Sequence, residues 1–127
     1  MIDPVSTIYK EIGSDKPFIN LVDIFYAQVE NDIVLRPLYP PDLTMPKKHL
    51  AMFLIQRMGG PTTYSDERGH PRMRARHLPF KIGLKEKDAW IKNMNVALDS
   101  VTEFCQYKNI LQSFFEDFAT FMINQPD

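Results

Sequence analysis

The chain has 127 residues, 44% hydrophobic and 24% charged, with fifteen Lys and Arg against sixteen Asp and Glu. That is the size and balance of one water-soluble domain, expected to span 1–127. A net charge of −1 argues against nucleic-acid and membrane-surface partners, and the lone Cys105 excludes an internal disulfide and a cysteine-based zinc site.

The chain begins Met1-Ile2-Asp3-Pro4, which is acidic and without a long apolar run, so no signal peptide is expected and the default location is the cytoplasm. A short helix is expected near residues 3–11. Phe18, Leu21, Val22, Phe25 and Val29 then follow helical spacing on one face. Ser14 or Asp15 suits the cap of that helix and Pro17 its first turn. A second short helix is expected near 32–38. Leu50, Phe53 and Leu54 mark another long helix, with Thr44 as its cap, Pro46 in its first turn and Gly59-Gly60-Pro61 as its stop. A third short helix is expected near 72–77. Trp90, Met94, Ala97, Leu98, Val101 and Cys105 form the next stripe, headed by Trp90 and closed by Cys105 as a small core residue. Leu111, Phe114, Phe115, Phe118 and Met122 form the last. No segment alternates as a strand does, so the fold class is all-α, with four principal helices.

Residues 59–83 break this rhythm. They hold four of the five glycines, four arginines (Arg68, Arg72, Arg74, Arg76) and both His70 and His77. A connection this long in a small domain is usually functional or disordered. Tyr64, Met73, Leu78, Phe80 and Ile82 are interspersed, which argues against disorder. His70 precedes Pro71 and is expected to brace the loop.

No nucleophile elbow or phosphate loop is present. His70 and His77 lack a third ligand at zinc-site spacing. A haem pocket asks for one histidine, apolar and aromatic walls, and cations for the propionates. His77 beside Arg76, with Phe25, Tyr26, Tyr39, Phe53 and Trp90 elsewhere, supplies those types. Each residue also has an ordinary packing or surface reading, and composition leaves both open.

The ordered motifs go further. Phe25-Tyr26 precedes Leu35-Arg36-Pro37-Leu38-Tyr39-Pro40, then Phe53-Leu54-Ile55-Gln56 and Gly59-Gly60-Pro61-Thr62-Thr63-Tyr64. Arg68-Gly69-His70-Pro71-Arg72-Met73-Arg74-Ala75-Arg76-His77-Leu78-Pro79-Phe80 and Asp88-Ala89-Trp90 follow. This set, from about Phe18 to Leu98, resembles a group II truncated haemoglobin; the likeness fades in the last helix.

The resemblance implies a shortened globin fold, a two-over-two helical sandwich around haem b. It implies His77 as the proximal iron ligand and Tyr26, Tyr39, Leu50 and Trp90 on the distal side, with Trp90 the foremost hydrogen-bond donor. Arg76 and Tyr64 match the propionate edge; Phe25, Pro46, His49, Phe53, Met73 and Phe80 complete the expected pocket. The implied function is reversible binding of oxygen or another diatomic ligand. The alternative is a haem enzyme oxidising nitric oxide or reducing peroxide, with a separate reductase as electron donor. Two positions depart from the family pattern. Pro46 stands where a gate residue is usual, and it has neither a donor nor a side chain to swing. The early glycine pair is reduced to Gly13-Ser14.

Overall fold

The apolar residues at 18, 21, 22, 25 and 29 become the buried face of a fifteen-residue helix, α2 (Lys16–Glu30), with Pro17 in its first turn. A short helix, α1 (Ile8–Ile12), precedes it and ends at Gly13 in a left-handed conformation. The computed structural model describes residues 3–126. Among these, every regular element is a helix or a 3₁₀ turn. The others are a 3₁₀ turn at Arg36–Leu38, α3 (Thr44–Arg57), α4 (Thr63–Arg68), α5 (Met73–His77), α6 (Leu84–Ser100), a second 3₁₀ turn at Thr102–Tyr107, and α7 (Lys108–Phe121). Helix α2 packs on α3, α6 packs on α7, and the two pairs meet through α2 on α6. No helix among the described residues is long and apolar enough to cross a membrane.

Where the helices begin and end differs in places from expectation, for local reasons. Thr44 is the first residue of α3, not its cap; the Asp42 carboxylate accepts the Thr44 amide at 2.9 Å. Trp90 is not at the head of its helix. That helix starts at Leu84, where the Glu86 carboxylate accepts the Gly83 amide at 2.8 Å, so Trp90 lies in the second turn. Cys105 is exposed, not a core residue. Helix α6 stops at Ser100, and in the 3₁₀ turn residues three apart share a face. That spacing turns Val101, Phe104 and Tyr107 inward and Cys105 out. Helix α4 was not expected from the sequence. Gln56 pins it by donating to Ser65 Oγ at 2.7 Å and accepting the Ser65 amide at 2.9 Å.

The core between the helix pairs holds Phe18, Phe25, Phe104 and Phe115, all essentially inaccessible. Phe18 and Phe104 meet edge to face with centroids 5.2 Å apart, and burial of each such side chain contributes roughly 1.5–3 kcal/mol. The N-terminal segment closes one end. Tyr9 donates its amide to the Met58 carbonyl at 3.0 Å, just before Gly59 turns with φ +96°. A Cβ at Gly59 would stand 1.9 Å from the Ser6 carbonyl oxygen. Gly59→Ala therefore combines a strained φ with a backbone clash, and is expected to cost more than about 2 kcal/mol. A thermal melt should fall by roughly 10 °C; a melt within 2 °C of wild type (roughly half a kcal/mol) would show that the segment around Ser6 is not packed on α3.

Candidate functional site

Between α2, α3, α5, α6 and α7 lies a cleft of about 880 Å³, counting the space at its open mouth. A second compartment of about 590 Å³ shares Leu38, Tyr39, His77, Phe80, Trp90 and Phe118 with it. The two therefore adjoin. The smaller is also lined by Leu35, Ile82 and Met122, with Glu86 and Lys87. The larger carries His49, Arg68 and Arg76.

His77 ends α5, and its ring is fixed from behind. Nδ1 lies 2.6 Å from the Met73 carbonyl one turn earlier. A carbonyl only accepts, so Nδ1 carries a proton, and in the neutral ring this leaves the lone pair on Nε2. The loop after His77 is held by the end of the chain. Asn124 donates to the carbonyls of His77 (3.2 Å) and Phe80 (2.8 Å), and its own Oδ1 accepts the Ile82 amide at 2.9 Å.

Three aromatic donors converge in the same cleft. Tyr26 is buried on α2 and packs edge to face against Tyr39, centroids 5.4 Å apart. Tyr26 and Trp90 both act on the Tyr39 hydroxyl, holding its pKa down against burial. Tyr39 is half-buried as a residue, yet its hydroxyl sits deep, and burial pushes its pKa up to about 12. Burial, with the neighbouring Tyr39, raises Tyr26 further. Both phenols are therefore protonated donors at neutral pH.

The backbone around Tyr39 is braced on both sides. Arg36 donates to the carbonyls of Tyr39, Pro40 and Pro41 at 3.3, 3.0 and 2.9 Å. Asp32 accepts the amides of Val34 and Leu35, and its other oxygen takes 2.8 Å donation from Asn93 on α6. These hydrogen bonds hold the Asp32 carboxyl below its usual range, the Asn93 bond most of all. The same Asn93 sits one turn beyond Trp90, so the strut ties the Trp90 helix to the Tyr39 loop.

The outer rim is cationic. The Arg68 and Arg76 guanidinium groups both lie 5.8 Å from the Tyr64 ring centre. Arg76 also donates to the carbonyls of Pro71 and Arg68 at 2.7 and 2.9 Å, which ties α5 to α4. Arg68 lies against the His49 ring, 2.7 Å from Nε2. Burial, then Arg68, Lys48 and Arg76, lower the His49 pKa, so it is neutral at pH 7 and adds no charge to the cluster.

Twelve of the thirteen expected site residues line this one cleft: His77, Tyr26, Tyr39, Leu50, Trp90, Pro46, His49, Phe53, Tyr64, Met73, Arg76 and Phe80. Phe25 does not. It is fully buried one layer behind, against Tyr26 (5.1 Å) and Trp90 (5.3 Å). The lining residues not expected from the sequence include Leu38, Arg68 and Phe118. Phe118 belonged to an apolar stripe that reads equally well as core. Arg68 stood in the cationic run, but nothing in the sequence put it nearer the rim than Arg72 or Arg74.

The larger cleft is walled mostly by apolar and aromatic side chains, presents His77 Nε2 without a partner among the described residues, and carries Arg68 and Arg76 at its mouth. These features fit a flat apolar ring whose metal takes the imidazole and whose carboxylates stay at the rim. Helices and cleft together define a shortened globin. The bacterial-like globin family matches residues 7–124. The group 2 truncated hemoglobin YjbI of Bacillus subtilis (strain 168) is 40% identical over 119 residues, which is 94% of this chain and 89% of that one. The solved hemoglobin of the thermophilic phototrophic bacterium Chloroflexus aurantiacus superposes with a TM-score of 0.89 at 46% identity, covering 94% and 98% of the two chains. The truncated oxygen-avid haemoglobin of Bacillus subtilis gives 0.87 at 39% identity, covering 93% and 99%. The chain belongs to the group II truncated haemoglobins, within the bacterial-like globin family. Membership implies haem as its cofactor and a diatomic molecule as its ligand.

Proposed function

We propose that this chain, acting as one domain, holds haem b through His77 and reversibly binds oxygen with a slow rate of release. Ferrous haem b supplies the iron at which a diatomic ligand binds. The protein supplies the rest. His77 Nε2 is the one imidazole nitrogen in the cleft whose ring is locked by a backbone acceptor, and such a partner raises ligand basicity. Arg76, Arg68 and Tyr64 receive the carboxylate edge, where charge-assisted hydrogen bonds are the strong ones. Phe53, Met73, Phe80 and Phe118 give the apolar walls.

The observation that carries the reading is the convergence of Trp90, Tyr26 and Tyr39 in the cleft that also receives His77. Oxygen held at ferrous haem would carry partial negative charge, and a hydrogen bond to a charged group is worth roughly 1.5–3 kcal/mol. Hydroxyl and indole donors held ready in a buried site favour that state without reorganising. A relative described as oxygen-avid supports the same direction. Donors this dense also suit redox chemistry on a retained ligand. The second reading is therefore turnover of nitric oxide or peroxide with a separate electron donor. Oxygen dissociation by stopped flow tests the first reading; steady consumption of nitric oxide with a reductase present tests the second.

Pro46 and Leu50 face the cleft from α3 and cannot donate. Polar stabilisation from that side is absent. Leu50→Gln is expected to add a donor and shift the carbon monoxide stretching band to lower frequency, as a donor near the ligand does. An unchanged band and unchanged ligand kinetics would mean that position 50 lies away from the iron.

A further inference from the structure

Charge is unevenly distributed along this chain. Residues 68–85 carry six Lys and Arg (Arg68, Arg72, Arg74, Arg76, Lys81, Lys85) and no Asp or Glu. The rest carries nine Lys and Arg against sixteen Asp and Glu. A nearly neutral protein therefore has one basic segment on an acidic body, and that segment is the one that bears His77.

The cleft does not account for all of this charge. Arg68 and Arg76 line it. Arg72, Arg74, Lys81 and Lys85 do not; all four are exposed and none makes an ion pair among the described residues. Among the described residues, the one polar contact of the Arg74 side chain is to the Ile123 carbonyl at 3.5 Å. Arg72 takes a left-handed φ of +43°, a conformation that favours glycine or asparagine, so no local preference explains an arginine there. Of the two carboxylates on α4, Glu67 is paired with Lys48 at 3.3 Å, and Asp66 makes no ion pair with the segment among the described residues. Large apolar side chains are exposed among the cations: Leu78 at 53%, Phe80 at 43% and Leu84 at 47%. Apolar residues ringed by arginine are the composition of a protein interface. Phe80 and Arg76 belong both to this surface and to the cleft.

We propose that residues 68–85 form a docking face for an acidic electron-donating protein of the flavodoxin type. The inference rests on the haem reading above. The partner's reduced flavin would give up one electron, and the ferric iron would take it and become ferrous. The basic face steers an acidic partner to the cleft mouth, where Arg68 and Arg76 would hold the cofactor's carboxylates. Steering of this kind raises association rates 10- to 1,000-fold and falls with ionic strength.

The test uses the ferric holoprotein and a reduced acidic flavodoxin, mixed anaerobically and followed at the haem absorption. Reduction is expected to slow at least tenfold from low salt to about 0.5 M salt, where the Debye length falls below about 5 Å. Arg72→Glu with Arg74→Glu should slow it about tenfold at low salt and flatten the salt dependence, with haem content unchanged; Arg72→Gln with Arg74→Gln should fall between. Calorimetric titration of oxidised flavodoxin into the same proteins reads docking whether or not haem is bound. A wild-type protein that carries no haem would thus sink the haem reading, and a haem-bearing wild type that does not bind flavodoxin would sink this one. Reduction and binding that ignore both salt and charge reversal would overturn the proposal. So would charge-dependent binding to phosphatidylglycerol vesicles without any to flavodoxin, which would make the face a membrane surface.

Discussion

His77→Gly is expected to strip the protein of most of its haem. The ring is the one imidazole in the cleft with a fixed tautomer, its Nδ1 proton directed at the Met73 carbonyl 2.6 Å away. Losing only the partner that orients a ligating histidine costs about 10- to 100-fold in metal affinity. Losing the ligand itself should exceed that, so haem transfer to an acceptor such as apomyoglobin should accelerate more than about 100-fold. Deleting the side chain also leaves a hole of imidazole size next to Phe80. Added imidazole should enter it and restore a five-coordinate ferrous spectrum. His49 and His70 serve as controls, because His49 sits at the rim against Arg68 and His70 accepts the Arg72 amide at 3.3 Å on the surface. If His77→Gly keeps its haem and its ferrous spectrum, another residue holds the iron.

The second large effect concerns the three aromatic donors. Trp90→Phe keeps a ring beside Phe25 and Phe115 but removes the indole N–H. Tyr39→Phe removes a hydroxyl from the same lining. Each is expected to lose one charge-assisted bond of roughly 1.5–3 kcal/mol and to speed oxygen release about 10- to 150-fold. Tyr26→Phe should do less, since Tyr26 packs against Tyr39 and influences it first. Because Trp90 and Tyr39 are neighbours in one lining, the double variant Trp90→Phe/Tyr39→Phe should fall well short of the product of the single effects. Stopped-flow dissociation on these variants decides it. Rates within twofold of wild type for both single variants would reduce the cluster to packing, and strict multiplicativity would show that the donors act separately.

The long helices were legible because burial imposes a period on the sequence. The stripe at Phe18, Leu21, Val22, Phe25 and Val29 is the inner face of α2 as built. Helix α4 was not legible. Thr63–Arg68 is six residues with one apolar side chain, and its stability comes from Gln56 seven positions upstream of Thr63, a contact that leaves no periodic trace. The start of α6 was missed because Leu84, Lys85, Glu86 and Lys87 carry no apolar stripe; the capping carboxylate of Glu86 comes three residues inside. The stripe ending in Cys105 was extrapolated past a change from α to 3₁₀ geometry.

The candidate site was legible through its resemblance, not through its chemistry. Single residues such as His77 or Tyr39 carry no signal of their own, and twelve of thirteen fell in one cleft only because their order matched a family pattern. Phe25 shows the limit of that route: an aromatic residue beside Tyr26 on the same helix points about 100° away from it, into the layer behind. Asn124 shows another. It holds the loop after His77 by three hydrogen bonds, yet it lies beyond the stretch where the likeness fades, and a lone asparagine near the end of a chain signals nothing.

Trp90 is the only tryptophan in the chain and lies in the wall of the cleft, so it reports directly on what enters. Titrating the apoprotein with haemin while following tryptophan fluorescence and visible absorption tests the account at its centre. Fluorescence should be quenched in step with a growing haem band, and both should break sharply at one equivalent. Fluorescence that declines without a break, or a haem band that grows without quenching, would place the cofactor outside this cleft and contradict the account.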